Sequence, residues 1–304
     1  MSGPNDKVRQ HYVPDSYLKA WRDPLAAGNP QTAKQVWRFK IDGSNGERIS
    51  PKSIFRENDF YTIFGDDGTR DLTVEDGLGD IETRFGKVRK ERFTVGQWPT
   101  PDEMHDVLMF AVSMSARTLG MRDFQAEQWR SIASRMEEMR VDVESNLSSP
   151  TPEQRKFERV RAGLRDVEKG PTISLEQVRA LADRPQVHVL RGVMRAALPR
   201  FAQMSVAVLF AVDDSVPIIT TDDPCVWIDP GRPNQPVALS SKTVEITLPI
   251  SPRLCLLLSY DKSISGFYPL TPDQIHGLNQ LTISHAYKWF ISDNQTTYPQ
   301  WFVR

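Results

Sequence analysis

Cysteine is scarce in this sequence, and the few that occur are not arranged as a disulfide framework. The 304 residues include two cysteines, Cys225 and Cys255, and each lies in an apolar run that is typical of a β-strand. Buried thiols in a reducing compartment fit this pattern better than a disulfide scaffold does. We therefore expect a cytoplasmic protein.

Targeting signals and long apolar runs are also missing. The N-terminal MSGPNDKVRQ lacks the apolar core of a signal peptide, and no stretch reaches the roughly 18 consecutive apolar residues of a membrane span. Neither sign of charge dominates, since 38 Lys and Arg stand against 39 Asp and Glu. Nucleic-acid binding would therefore require a local basic patch. We expect neither export nor membrane insertion.

Several catalytic signatures are absent as well. The sequence contains no GxSxG, GxxxxGK[ST], GxGxxG or CxxC motif, and its five histidines form no HxH, HxxxH or HExxH pair. These absences argue against serine esterases, P-loop nucleotide hydrolases and dinucleotide-dependent oxidoreductases. A metal site would have to be assembled from distant segments, since no local zinc spacing is present.

The pattern of apolar residues divides the chain into three sections. Runs rich in β-branched residues, such as QVWRFK near the N-terminus and KTVEITLPI near the C-terminus, predict strands. Residues 74–93 and 101–147 carry apolar positions every three or four residues, which predicts helices. We predict an α+β fold with a mixed sheet built from N-terminal and C-terminal strands and a large helical middle section.

The expected domain organisation is one α+β domain over residues 1–304. Within it, residues 122–170 are rich in charge and predict a helical hairpin that protrudes from the domain. Because acids and bases are interspersed there, a solvated face is favoured over a nucleic-acid surface.

Arg117 is the first candidate site residue. It shares an apolar helical stripe with Phe110 and Met114, and a buried guanidinium requires an anion because an uncompensated buried charge is costly. Two interpretations stay open, an internal pair with a carboxylate and contact with a substrate phosphate or carboxylate. Glu82, beside the apolar stripe of the preceding helix, is the candidate partner. It is also a candidate metal ligand or general base.

His11 and the segment SVPIITTDDPCVWI supply the other candidates. His11 precedes a helix in an aromatic stretch, where it is either a structural hydrogen bonder or an acid–base group. The segment predicts a strand, a tight turn and a strand, and an Asp before Pro commonly initiates such a turn. A second acid is not required by the turn. Asp222 is therefore a candidate metal ligand or base, through its hard carboxylate oxygens.

Several motifs in order resemble a known pattern. RQHYVPDSYLKAW, DGLGDIETRF, SARTLGMRD, IITTDDP and ITLPISPRLCLLL are similar to motifs of a bacterial family catalogued as domain of unknown function 4238, over nearly the whole chain. The family's Ser/Thr-Asp-Asn-Pro motif corresponds to residues 221–224, with Asp223 in place of the usual Asn. This leaves Asp222 as the stronger site candidate.

The resemblance implies that His11, Glu82, Arg117 and Asp222 belong to one constellation, and it supplies no activity, cofactor or substrate. Our first hypothesis is a metal-dependent hydrolase or nuclease that acts on a phosphate ester or nucleic acid. In it, Asp222 and Glu82 hold a divalent metal or activate water, His11 is the acid or base, and Arg117 neutralises developing charge.

Two further hypotheses stay open. The second is a non-catalytic binding or regulatory module of a bacterial defence or mobile-element locus, in which the same residues form a structural network and the charged hairpin is the partner surface. An open pocket lined by the four side chains would favour the enzyme, whereas a closed, paired cluster would favour the module. The third is nucleic-acid recognition through the basic KVRKERF segment.

Overall fold

The computed structural model describes residues 8–26, 28–29, 32, 34–147, 153, 173–233 and 235–303. The chain separates into two compact units, one of Met1–Met121 with Leu190–Arg304 and one of Arg122–Val189. The single-domain organisation stays a prediction. The predicted hairpin has its first arm in the described helix that ends at Leu147, while residues 148–152 and 154–170 lie outside the described residues.

Strands occupy both ends of the chain, and helices occupy its middle. The strands are β1 (Arg9–His11), β2 (Val36–Lys40), β3 (Glu47–Ile49), β4 (Arg56–Asn58), β5 (Ile63–Phe64), β6 (Arg70–Asp71), β7 (Ser205–Ala211), β8 (Thr220–Thr221), β9 (Val226–Ile228), β10 (Glu245–Ser251), β11 (Leu254–Ser259), β12 (Gly266–Leu270) and β13 (Trp289–Ser292). The helices are α1 (Asp15–Leu18), α2 (Thr73–Glu91), α3 (Pro101–Ala116), α4 (Leu119–Leu147), α5 (Leu175–Asp183), α6 (Pro185–His188), α7 (Leu190–Phe201) and α8 (Pro272–Ser284).

Two larger sheets and two strand pairs form from these strands. The five-stranded sheet has the order β12-β7-β11-β10-β9, with β12 parallel to β7 and the other neighbours antiparallel. The four-stranded sheet, β3-β2-β13-β8, combines two N-terminal with two C-terminal strands. The structure thus confirms the predicted α+β fold and the joining of the two chain ends in one sheet.

Helices α2 and α3 pack against each other in the first unit. In α2 the buried residues recur every three or four positions, which gives one apolar stripe facing α3. Its Phe85 stacks on Phe110 of α3 with ring centroids 3.8 Å apart. Helix α3 begins with a capping box in which Thr100 and Glu103 bond each other's backbone N–H. The stacked pair places Glu82 of α2 one turn away from this contact.

A two-residue interruption at Arg117 and Thr118 separates α3 from α4. Arg117 has φ −106° and ψ 0°, which ends the α3 hydrogen-bond pattern. The 101–147 helical pattern therefore corresponds to two helices and not to one continuous helix.

The second unit contains the larger part of α4 together with α5 and α6. Ser174 and Gln177 form the capping box that starts α5. Within this unit Arg179 Nη2 lies 3.3 Å from Glu137 Oε2 of α4. In the described part of the chain, no helix has both the length and the apolar character required to cross a membrane.

Candidate functional site

Arg117 is fully buried at the C-terminal end of α3, with 0% of its side chain exposed. Its Nη2 donates to Glu82 Oε1 at 2.8 Å and to the carbonyl of His11 at 3.1 Å. Its Nε donates to the carbonyl of Tyr12 at 3.1 Å. Of the two interpretations of Arg117, the structure therefore shows the internal pair with a carboxylate.

The chain folds this way because β1 ends at His11 and α1 does not begin until Asp15. The carbonyls of His11 and Tyr12 at this corner accept from Arg117, which satisfies backbone acceptors inside the protein. Glu82, with 19% of its side chain exposed, also accepts from the Ser16 hydroxyl at 3.3 Å. One guanidinium thus joins the β1–α1 corner, α2 and the end of α3.

The imidazole of His11 is half-buried beside this pair. Its Nε2 is shielded from solvent and has no hydrogen-bond partner among the described residues. Burial lowers the pKa of His11, and the charges of Arg117 and Arg56 also lower it, while Asp15 and Glu82 raise it. These effects together favour the neutral form of the imidazole.

Asp222 follows β8 and faces the chain that leads into β13. Its Oδ1 accepts from the backbone N–H of Tyr287 at 2.9 Å, and its Oδ2 accepts from those of Lys288 and Trp289 at 2.8 and 3.1 Å. Burial raises the pKa of Asp222 to about 6, although the three amide donors oppose this. Both oxygens accept hydrogen bonds from backbone N–H groups, so this carboxylate fixes the turn before β13.

The four predicted site residues therefore divide into two networks. His11, Glu82 and Arg117 are in contact, whereas no hydrogen bond or ion pair among the described residues joins Asp222 to them. Metal binding by Asp222 and Glu82 stays a prediction. The described residues contain no group of three His, Cys, Asp or Glu side chains that could hold a metal ion.

Asp223 is a functional candidate that the sequence analysis ranked below Asp222. Its side chain is half-buried, and burial followed by the charge of Asp222 raises its pKa to about 7, while a hydrogen bond from the Thr118 hydroxyl lowers it. A neighbouring carboxylate is the signal that could have identified it, because two close like charges raise the pKa of one. This signal is visible in the sequence, because Asp222 and Asp223 are adjacent.

The surroundings of Asp223 are set by Gly120, in the first turn of α4. A Cβ at position 120 would lie 2.8 Å from Asp223 Oδ2 and 3.9 Å from Cδ2 of Tyr287, so glycine allows this close approach. The Tyr287 ring is 37% exposed, and the Nζ of exposed Lys288 lies 4.8 Å from its centroid. A titratable carboxyl, an aromatic ring and a cation thus share one region of the surface.

One comparison with known proteins gives a match over nearly the whole chain. A family model described as "Protein of unknown function (DUF4238)" matches residues 9–296, which include both networks. No curated protein and no solved structure matches the chain.

Proposed function

The chain belongs to the DUF4238 family, whose description assigns no activity, and we propose that it is a hydrolase in which Asp223 is the acid–base group. The proposed substrate is a phosphate ester or a nucleic acid. The observation that carries this proposal is the position of Asp223, a half-buried carboxyl beside the fixed carboxylate of Asp222.

Asp222 and Asp223 have different roles in this proposal. Asp222 is held by three backbone amides, so its charge stays in place next to Asp223. A carboxyl whose pKa is about 7 is present in both protonation states at neutral pH. This is the property that general acid–base catalysis requires.

The proposed reaction begins with water hydrogen-bonded to the Asp223 carboxylate. As the water oxygen forms its bond to phosphorus, Asp223 takes one water proton, and the bond from phosphorus to the leaving oxygen breaks. Asp223 then gives the proton to the leaving oxygen, which returns the carboxylate to its starting state. Every bond made or broken and every proton moved is accounted for, and no further reactant is needed.

The substrate class is supported by the two exposed residues next to Asp223. The Lys288 ammonium offers a cation for a phosphate, and the Tyr287 ring offers a face on which a base could stack. Arg117 and Glu82 have a different role in this proposal. They hold the end of α3, and with it Thr118, in position beneath the Asp223 carboxyl.

The test is a hydrolysis assay over phosphomonoesters, phosphodiesters and single-stranded DNA and RNA. Asp223→Asn should reduce hydrolysis by at least about 100-fold, because it removes the group that transfers the proton. Asp66→Asn is the control, since Asp66 is an exposed acid outside the site. Equal hydrolysis by wild type and Asp223→Asn would contradict the proposal.

A non-catalytic binding or regulatory module is the second candidate function. It is supported by the burial of Arg117 and Asp222, whose hydrogen bonds are all internal. A closed network is what this hypothesis predicts for those residues. A cellular effect that survives Asp223→Asn would favour the module over the hydrolase. Its placement in a bacterial defence or mobile-element locus stays a prediction.

A further inference from the structure

A cleft of about 890 Å³ lies between α8, the turn that follows β2 and the short 3₁₀ helix Pro299–Phe302. Small-molecule sites in proteins enclose roughly 300–1,000 Å³. Ile41 and Val303, which line the cleft, are 37% and 61% exposed, so it is open to solvent. The described lining residues do not include Asp223. The cleft is therefore large enough for a small molecule and uses residues other than the proposed acid–base group.

The C-terminal wall of the cleft is held in place by contacts within the protein. Gln280 of α8 donates through Nε2 to the carbonyl of Val303, and Trp301 donates through Nε1 to Nδ1 of His276 at 3.0 Å. The Trp301 ring also packs edge-on against Phe290 of β13, with ring centroids 6.1 Å apart. A ligand therefore does not have to order this wall when it binds, which lowers the entropic cost of binding.

The turn after β2 brings a carboxylate to the same cleft. Gly43 has φ +81°, and a Cβ there would lie 2.7 Å from Cζ of Phe302, so glycine allows the turn to touch this ring. Asp42, next to Gly43, accepts through Oδ1 from the N–H and the hydroxyl of Ser44 at 2.9 and 2.6 Å. These hydrogen bonds lower the pKa of Asp42. An ionised carboxylate and an aromatic ring thus line one cleft at neutral pH.

The charge and the composition of the lining determine which ligand fits. Asp42 is the one charged side chain among the described lining residues, and the apolar ones include Leu281, Ile283 and Phe302. Lys40 acts on the Asp42 carboxylate but does not line the cleft. An ammonium group at Asp42 would be attracted and an anion repelled. An apolar body would remove apolar surface of the cleft from water.

We infer that this cleft binds a small amine with an apolar, aromatic body, whose ammonium group lies at Asp42 and whose ring packs against Leu281 and Phe302. An exposed ion pair contributes little by itself. Most of the binding free energy therefore comes from apolar contact, and the charge of Asp42 sets the preference among ligands of one size. This inference does not depend on the proposed hydrolase activity.

The experiment is an NMR titration of the full-length ¹⁵N-labelled protein, followed at the indole Nε1–H of Trp301. The probes are 2-phenylethylamine, 2-phenylethanol and 3-phenylpropionate, which share a ring and a two-carbon linker and differ in charge. The amine should shift the Trp301 signal in a saturable way and bind at least about 5-fold more tightly than the carboxylate. The absence of a saturable shift with the amine would overturn the inference, as would equally tight binding of either other probe.

A first pair of variants tests whether the ligand occupies the cleft. Gly277 of α8 lines it, and no atom lies within 4 Å of its Cβ position, so Gly277→Leu can place a side chain there without a clash at Cβ. This side chain should abolish saturation by all three probes. Gly86→Leu is the matched control, since Gly86 is also helical with an open Cβ position and lies outside the lining. Unchanged affinity for the amine in Gly277→Leu would overturn the inference.

A second pair of variants tests the charge. Asp42→Asn keeps an oxygen that can accept from Ser44, so affinity for 2-phenylethylamine should fall about 3–5-fold while affinity for 2-phenylethanol stays the same. Asp67→Asn is the matched control, because Asp67 accepts from Thr69 in the same way and does not line the cleft. Equal affinity for the amine in wild type and Asp42→Asn would contradict the role of Asp42. If Gly277→Leu does not fold, this pair still decides the matter.

Discussion

Asp223 and Gly120 are in direct contact, since a Cβ at position 120 would lie 2.8 Å from Asp223 Oδ2. The first turn of α4 therefore packs so closely against the turn after β8 that position 120 has no room for a side chain larger than hydrogen. The carboxylate of Asp222, the residue before Asp223, instead accepts from the backbone before β13. Two adjacent carboxyls thus have different surroundings.

The first prediction concerns Gly120. Gly120→Ala should displace the Asp223 carboxyl towards solvent, because the added methyl occupies its place. Greater solvation should lower the pKa of Asp223 from about 7 by roughly one unit, measured by NMR titration of the side-chain carboxyl.

Gly86→Ala is the matched control, since Gly86 is also helical and no atom lies within 4 Å of its Cβ position. It should leave the Asp223 titration unchanged and stabilise the protein by about 0.5–1 kcal/mol. An Asp223 pKa that is the same in Gly120→Ala and wild type would contradict the proposed contact.

The second prediction concerns pH and stability. The folded-state pKa of Asp223 is raised, so its stabilising contribution is complete at pH values below the unfolded-state pKa, about 4, and is lost as the pH rises through about 7. Asparagine is uncharged at every pH. Asp223→Asn should therefore match wild type near pH 4 and exceed its free energy of unfolding by about 1–2 kcal/mol at pH 8, allowing for partial solvent screening.

Urea unfolding of both proteins at several pH values gives this difference directly. Comparing the two chains removes the contributions of other titrating groups, including His11, whose lowered pKa acts in the opposite direction. A variant that is less stable than wild type at pH 8 would show that the ionised carboxylate is favoured at this position.

The third prediction compares the stability contributions of a buried and an exposed ion pair. Each pair links α2 to α3 or to the residue at the C-terminal end of α3. Arg117→Met removes the ion-pair partner of Glu82 and the hydrogen bonds that Arg117 donates to two backbone carbonyls, so the loss should be about 3–5 kcal/mol. Arg84→Met breaks the exposed pair with Asp106 and should cost less than about 1 kcal/mol. Similar losses of unfolding free energy in the two variants would show that Arg117 is not the link described here.

The fourth prediction concerns Asp222. Asp222→Ala should destabilise the protein by about 2–4 kcal/mol, because three backbone N–H groups lose their acceptor in a buried place. Asp222→Asn keeps one oxygen and should lose less. The amides of Tyr287, Lys288 and Trp289 should exchange with deuterium faster in both variants, and unchanged exchange would rule out this anchoring role.

Local sequence patterns were sufficient to predict much of the fold. The apolar stripe of α2 depends on residues close in sequence, so it can be recognised without coordinates. The pairing of Arg117 with Glu82 was one of two interpretations, because a buried guanidinium requires an anion but its sequence does not choose which one.

The roles of Asp222 and Asp223 could not be assigned in the same way. One of the two adjacent acids accepts from the backbone of Tyr287 and Lys288. Which one does so depends on tertiary contacts that span 65 and 66 positions of sequence. Sequence favoured Asp222 as the site residue, whereas the structure gives Asp222 a complete set of backbone partners and leaves Asp223 half-buried next to Gly120. Only the tertiary contact distinguishes them.

The most direct measurement is the NMR titration of the Asp223 side-chain carboxyl in the intact wild-type protein, between pH 3 and pH 10. An acid–base group beside the fixed Asp222 carboxylate should titrate with a pKa of about 7, and the value should fall in Asp222→Asn. A titration near pH 4 that is unaffected by Asp222→Asn would contradict the account, because Asp223 would then be an ordinary surface carboxylate.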